Sequence, residues 1–335
     1  MSRKKYKIIL AILVALALLL VTVGVTSLVR QRSDTAKHKG TESTWYTSAG
    51  EDLMPAPTQE LKETPEPTSV LKTQPGFEIS FFDVGQADSA LVCCDGHYML
   101  IDGGNSGSSS FLYSYLEQHG ITYLDYIVCS HAHSDHAGGL AGALNYAQVG
   151  TAYAPVTEYD SRAFDSFVKY LNEQGKEIRV PEPGECIMLG SATVSFLGPV
   201  DMSLAELNLN NSSIILRIEY GATSFVFTGD AEAEEELSVI ESGAELKSTL
   251  LKVGHHGSET SSSEEFMKAV NPDYAVISVG KDNDYGHPHE AALERISAVC
   301  PNIYRTDQLG EIICRSDGEN LSFSFEKTAD AENDK

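Results

Sequence analysis

From Phe77 onward, short runs rich in β-branched and aromatic residues alternate with stretches of helical period. The runs FEISFFDV, SALVCCD and HYMLIDGG succeed one another across tight polar turns, which predicts an antiparallel meander. A helix is predicted over Ser109 to Gln118, then a strand in YIVCS and a helix over Ala137 to Tyr146 packed through small residues. TAYAPV, a helix from Asp165 to Glu173, EIRV, ATVSFLG, SIILRIEYG and TSFVFTGD come next. The remainder predicts an acidic helix over Ala233 to Ile240, a strand in STLLKVGHHGS, a helix over Ser263 to Val270 and a strand in YAVISVG. A last helix over Glu290 to Val299 precedes the strands EIICRSDG and LSFSFE. Two β-rich halves interleaved with helices predict an α/β (α+β) chain in which two sheets pack face to face with helices outside, a four-layer αββα sandwich.

Before Phe77 the pattern changes. Ile8 to Val29 is a run of 22 residues without a charge, long enough at about 1.5 Å per residue to cross a bilayer of about 30 Å. Signal peptides have shorter apolar cores of about 7–15 residues, so the run is read as one membrane-spanning anchor. Arg3, Lys4, Lys5 and Lys7 precede it, and Arg30, Arg32, Lys37 and Lys39 come after it. The charge rule for orientation is nearly balanced. Anchors of this kind export the domain attached behind them, which puts the body outside the cell membrane. Residues 33–75, rich in Thr, Pro and Glu, have too few apolar groups to order and read as a linker. The expected partition is an anchor over 1–32, a linker over 33–75, a folded domain over 76–327 and an acidic tail over 328–335.

Charge narrows the partners. The chain has 24 Lys and Arg against 48 Asp and Glu; without the eight basic residues and one acid of residues 1–39, it has 16 against 47, a net charge of −31. So acidic a body repels a polyanion and argues against tight, sequence-independent DNA binding. The six cysteines show no zinc-ribbon spacing, and Cys93, Cys129 and Cys314 lie in strand-like runs as buried thiols.

One stretch concentrates chemistry. In SHAHSDHAGGL, His131 and His133 alternate along an extended segment, and Asp135 and His136 begin the next helical turn. Imidazole and carboxylate at this spacing suit one or two divalent ions. Ala137, Gly138 and Gly139 let the loop lie close to them.

HAHSDH resembles the HxHxDH signature of the metallo-β-lactamase fold superfamily. FFDVGQADSALV, LIDGG, FTGDAE, LKVGHHGS, NNSSIILRIEYG and SVGKDNDYGHPH add a resemblance to the hydrolase domain of ComEC-type competence proteins. The resemblance spans Phe77 to Phe325 and implies a metallo-β-lactamase-like αββα sandwich. It implies that His131 and His133 hold one ion, that Asp135, His136 and a histidine of GHHGS hold the second, and that Asp230 bridges them. Of the two neighbours in GHHGS, His255 is the first choice and His256 the second. Many superfamily members supply a further histidine between the first cluster and the bridge. No histidine occurs from Ala137 to Gly229, where Asn210, Asn211 and Ser212 stand instead. The first site is then more open to water, which weakens the case for a permanently filled zinc pair and leaves manganese as an alternative.

Metal chemistry implies a mechanism in which paired ions lower the pKa of a shared water and polarise a phosphoryl oxygen, making a metal-activated hydroxide the nucleophile. Asp135 is placed to orient it. His287 of YGHPH either supplies the leaving oxygen with a proton or caps a turn set by Gly286 and Pro288. Asn211, Ser258 and Asn283 are the candidate substrate-binding residues. In DVGQADS, Asp83 and Asp88 either support the ligating histidines or close a hairpin turn, and Asp102 is expected to support His131 or His133. The expected activity is hydrolysis of a phosphodiester, DNA or RNA being the substrate the resemblance suggests. The alternatives are a cell-wall phosphoester, such as a teichoic-acid phosphocholine ester, and a non-catalytic binding module of a DNA-uptake assembly.

Overall fold

The computed structural model describes residues 76–327. The expected membrane span, the linker and the acidic tail lie outside the described residues. Among the described residues, no helix is long and apolar enough to cross a membrane.

The chain begins with β1 (Phe77–Phe81), β2 (Ala90–Cys94), β3 (His97–Ile101), α1 (Ser109–His119) and β4 (Tyr123–Val128). Next are α2 (Ser134–Ala137), α3 (Leu140–Tyr146), β5 (Gln148–Tyr153), α4 (Arg162–Glu173) and β6 (Ile178–Arg179). The second half holds β7 (Cys186–Leu189), β8 (Ala192–Gly198), β9 (Ile215–Tyr220), β10 (Thr223–Phe227), α5 (Ala233–Glu241) and β11 (Leu250–Lys252). It closes with α6 (Glu264–Val270), β12 (Tyr274–Ile277), α7 (Glu290–Ser297), β13 (Asn302–Arg305), α8 (Thr306–Leu309), β14 (Ile312–Ser316) and β15 (Leu321–Phe325).

One sheet has eight strands in the order β15-β14-β1-β2-β3-β4-β5-β6, and the other seven in the order β13-β12-β11-β10-β9-β8-β7. Each sheet changes character midway. β1, β2 and β3 pair antiparallel, whereas β3 to β6 run parallel; β7 to β10 pair antiparallel, whereas β10 to β13 run parallel. Parallel neighbours need helical crossovers, which explains why α1, α5, α6 and α7 fall where they do.

Between the sheets lies a core of Phe77, Ile79, Phe81, Val92, Phe196, Phe225 and Phe227, with Phe77 stacked on Phe225 at a centroid distance of 4.7 Å. Leu112 and Leu116 of α1, Leu140 and Leu144 of α3, and Phe164 and Phe167 of α4 cover the outer face of the first sheet. Val239, Phe266, Met267 and Ile296 cover that of the second. The order of layers is helix, sheet, sheet, helix.

Local differences from the sequence pattern have local causes. The single helix expected over Ala137 to Tyr146 is two, α2 and α3, because the chain breaks at Gly138–Gly139 to dock on the loop after β3. There, Gly103 N–H donates to the His136 carbonyl at 2.6 Å and Gly139 N–H to the Gly104 carbonyl at 3.2 Å. A Cβ on Gly139 would collide with the Gly103 carbonyl, so these glycines let two loops dock on each other. The α4 helix starts at Arg162, ahead of the expected Asp165, because Ser161 caps it by accepting from Phe164 N–H.

Candidate metal centre

Every residue of the metal pattern sits at the carboxyl end of a parallel strand. Asp102 follows β3, the stretch 130–136 follows β4, Asp230 follows β10, and His255 and His256 follow β11. Because these strands share a direction within each half, their trailing loops collect at one edge, where ligand sites of open α/β sheets form.

At that edge, one ligand atom each from Asp135, His136, Asp230 and His256 lies within 4.8 Å of the others. Asp230 is at the middle. Its Oδ2 is 3.2 Å from His136 Nε2 and 3.8 Å from His131 Nε2, and its Oδ1 is 3.8 Å from His256 Nε2. His131 Nε2 is in turn 2.9 Å from His133 Nδ1, so the first two histidines converge beside Asp230. His131, His136, Asp230 and His256 are buried, while Asp135 is partly open to a cleft.

Of the two neighbours in GHHGS, the structure brings His256 into this group and leaves His255 at its margin. Both adopt left-handed backbone angles, φ 48° and 53°, a conformation that costs a β-carbon residue energy and persists where surrounding contacts hold it. His255 N–H donates to the Gly229 carbonyl, and His256 Nδ1 donates to the Ser278 carbonyl at 3.0 Å, which fixes the turn. His256 Nε2 is thereby aimed at Asp135 (3.5 Å) and Asp230. His255 sits 3.8 Å from Asp230 by Nε2 and leans by Nδ1 on Glu232 at 3.4 Å. Both Nε2 atoms lie 3.8 Å from Asp230, and His256 is the buried one of the pair.

Supporting contacts also differ from expectation. Asp102 supports His136, not His131 or His133: its Oδ2 accepts from His136 Nδ1 at 2.9 Å, and its carboxylate accepts from Ser130 N–H at 2.6 Å and Ser130 Oγ at 2.7 Å. The docked glycine loops put it there, with Asp102 itself at φ 58°. Asp88 lies 3.2 Å from His256 Nδ1 and pairs with Lys252 Nζ at 2.7 Å, both side chains buried. Asp83 is a turn residue instead, paired with Lys327 near the surface.

His287, the candidate proton donor, lines the cleft, but the candidate substrate residues do not: Ser258 and Asn283 spend their side chains on their own loops, and Asn211 on the loop after β10. Asn211 Oδ1 accepts from Glu232 N–H, and Ser258 Oγ bonds with Thr260. Asn283 donates to the Gly280 and His287 carbonyls and accepts from Tyr285 and His287 N–H. Asn210 faces the cleft in place of Asn211, and Gln86 and Tyr285 join it there. The cleft encloses about 310 Å³.

Electrostatics agree with a cation site. Burial pushes Asp230 up, yet the rings of His136, His256 and His131 around it hold it well below the ordinary carboxylate range. Burial likewise opposes charge on His256, but Asp230, Asp88 and Asp135 raise it to about 10; Asp230 and Asp102 raise His136 in the same way. His131, buried and next to His136, is held well below its ordinary value. Four carboxylates thus face one lysine, and protons on imidazoles supply the missing positive charge. A divalent cation on the same nitrogens would supply it instead. The donor set fits one: His136 Nε2, His256 Nε2 and Asp230 Oδ1 are buried without a hydrogen-bond partner, although such groups are ordinarily satisfied. With its ring nitrogens aimed at Asp102 and the Ser278 carbonyl by the other edge, each imidazole is oriented as ligating histidines are.

Sequence comparison agrees with the geometry. The family model described as "Metallo-beta-lactamase superfamily" matches residues 82–281. ComE operon protein 3 of Bacillus subtilis is 31% identical over 265 residues, covering 74% of this chain and 34% of that protein. Competence protein ComA of Neisseria gonorrhoeae is 31% identical over 236 residues, covering 70% of this chain and 31% of that protein. The chain therefore spans about a third of the length of these relatives. Among solved structures, the metallo-beta-lactamase fold protein YhfI of Bacillus subtilis superposes with a TM-score of 0.46 at 13% identity, over 74% of this chain and 100% of that one. The chain belongs to the metallo-beta-lactamase superfamily of metal-dependent hydrolases, in its ComEC-type, competence-protein branch.

Proposed function

We propose that this protein is a metal-dependent phosphodiesterase acting on nucleic acid. In this reading Ile8 to Val29 anchors it in the cell membrane with the domain outside. The observation that carries the activity is the unpartnered His256 Nε2 and Asp230 Oδ1 of residues lining an open cleft, with the unpartnered His136 Nε2 buried beside Asp230 and His287 on the cleft wall. The names of the relatives, which are competence proteins, support the substrate. His131 and His133 would hold one ion, Asp135, His136 and His256 a second, with Asp230 between them. Bound there, divalent ions polarise a phosphoryl oxygen and lower the pKa of water. Asn210, whose Oδ1 is buried without a partner and whose side chain lines the cleft, would offer an oxygen donor to an ion there; oxygen-rich sets suit manganese, nitrogen-rich ones zinc.

The chain's own groups then position the reaction. Asp135 stays ionised because the neighbouring His256 and His136 outweigh its burial, so it accepts a hydrogen bond from an attacking water. His287 is held in one tautomer. Gly280 N–H donates to Gln86 Oε1, which turns the Gln86 amide nitrogen toward His287 Nδ1 at 3.2 Å. Nδ1 therefore accepts, and Nε2 carries the proton. Burial and the neighbouring His255 and His256 rings lower His287 to about 4, so it is neutral near pH 7. It serves as a hydrogen-bond donor to a phosphoryl or leaving oxygen, not as a charged acid.

The test is a substrate panel on the full chain loaded with zinc or manganese: bis-p-nitrophenyl phosphate, single-stranded DNA and a choline phosphodiester. Hydrolysis of the first two is expected. Metal bound to an intact fold with none of the three cleaved would leave a binding module in its place.

A further inference from the structure

Phosphodiester hydrolysis leaves open what the enzyme grips beside the phosphate, and the rim of the cleft carries an answer. Among the described residues, none of the ten lining the cleft is Lys or Arg. Apart from bound cations and the hydrogen bond from His287, these walls offer a phosphate little, so selectivity calls for a further, uncharged contact. Tyr285 offers one. Its side chain lines the cleft yet is 69% exposed, while one side of the ring stacks on His287 at a centroid distance of 5.6 Å and an angle of 26°.

An aromatic ring is normally withdrawn from water unless its segment is held in place, and this segment is held from both ends. Tyr285 N–H donates to Asn283 Oδ1, and the same Asn283 side chain ties down both the N–H and the carbonyl of His287. On the far side, Glu259 N–H donates to His289 Nδ1 at 3.0 Å, which leaves His289 Nε2–H to donate to the Tyr285 carbonyl at 3.2 Å. The ring therefore stands in water on a braced loop, preorganised next to His287, the hydrogen-bond donor to the phosphate.

Resting on the phosphodiesterase reading above, we propose that Tyr285 is a stacking platform for an unpaired nucleobase next to the scissile phosphate. The substrate class is then single-stranded nucleic acid. Duplex DNA keeps its bases stacked inside the helix and cannot present one to this ring, whereas a splayed single strand can.

The experiment compares thymidylyl-thymidine with its analogue carrying abasic deoxyribose at both positions. Both are hydrolysed by the full chain loaded with manganese, as parent, Tyr285→Ala and Tyr285→Phe. The readout is the ratio of kcat/KM on the two substrates within each protein, so a loss common to both substrates, such as a shifted His287, cancels. Stacking predicts a ratio of about five- to hundredfold in the parent, falling towards one in Tyr285→Ala and restored in Tyr285→Phe. A parent ratio near one, with both substrates cleaved, overturns the platform and leaves the phosphodiesterase intact. So does a ratio that survives in Tyr285→Ala. Cleavage of neither, with metal bound, overturns both. Cleavage of a choline phosphodiester in preference to the dinucleotide, lost in Tyr285→Ala, overturns the platform's assignment to bases in favour of a cation held over the ring.

Discussion

Lys252 is the perturbation that most directly probes what lies beneath the metal centre. Its ammonium is 2.7 Å from Asp88 Oδ2, with side-chain exposures of 4% and 6%, and it also donates to the Val253 carbonyl. At an effective dielectric of about 20, opposite charges this close attract by roughly 6 kcal/mol, and desolvation of the two ions removes most of that gain. The pair as a whole is therefore worth little. Stranding one member is another matter: Lys252→Met leaves Asp88 buried beside Asp102, and the expected loss is about 3–5 kcal/mol. Although burial pushes Asp88 up, Lys252 and His256 bring it down to about 2. Without Lys252, burial and the remaining His256 and His136 oppose one another, and the folded-state pKa rises from about 2 toward the unfolded value. The deficit against the parent is then smallest at low pH and grows as pH rises through the carboxylate range. Urea denaturation at about pH 3 and about pH 7 reads this directly, with the larger deficit expected at the higher pH. The double variant Asp88→Asn with Lys252→Met has no charge to strand and should recover more than half of the loss. A single variant within about 1 kcal/mol of the parent at both pH values would refute the reasoning, since surface-like substitutions cost no more than that.

The position of the late ligand separates two neighbours. His256→Ala should lower metal stoichiometry measured by elemental analysis, and His255→Ala should retain it; the opposite result would return the ligand to His255. Glu236 of α5 supplies a pH test away from the site. It is buried, accepts from Ser262 and Ser263 N–H, and burial raises it to about 7. Its folded pKa lies above the unfolded value, so stability declines as pH rises from about 4.5 to 7, by about 3 kcal/mol at most. Glu236→Gln should flatten the pH dependence of Tm, though only in part, because Glu235 is raised by burial in the same way. Parallel curves for parent and variant would contradict this assignment.

Legibility tracks distance along the chain. His131, His133, Asp135 and His136 are readable because their spacing, one extended segment and the start of a helix, is a local property. The strands and helices that carry them are readable from apolar periodicity, although β7, short and half exposed, and β13, short and half-buried throughout, give no such signal. The sequence favours Asn211 over Asn210 and gives Asn283 and Ser258 to substrate, because a polar residue in a motif looks the same whether it faces a cleft or braces its loop. One clue to the hidden pair is present: a lysine in the apolar run STLLKVGHHGS, if buried, needs an acid to balance its charge.

The sequence by itself determined the two-sheet architecture, the ligand types and the loops that bear them, since alternation and motif spacing act over a few residues. Tertiary structure alone decided that His256 turns inward, that Asp102 serves His136, that Asp88 meets Lys252 across 164 positions, and that Gln86 sets the tautomer of His287 across 201. Those choices depend on which strand ends the sheet order makes neighbours and on left-handed turns held by distant carbonyls. Neither is a property of any short stretch of chain.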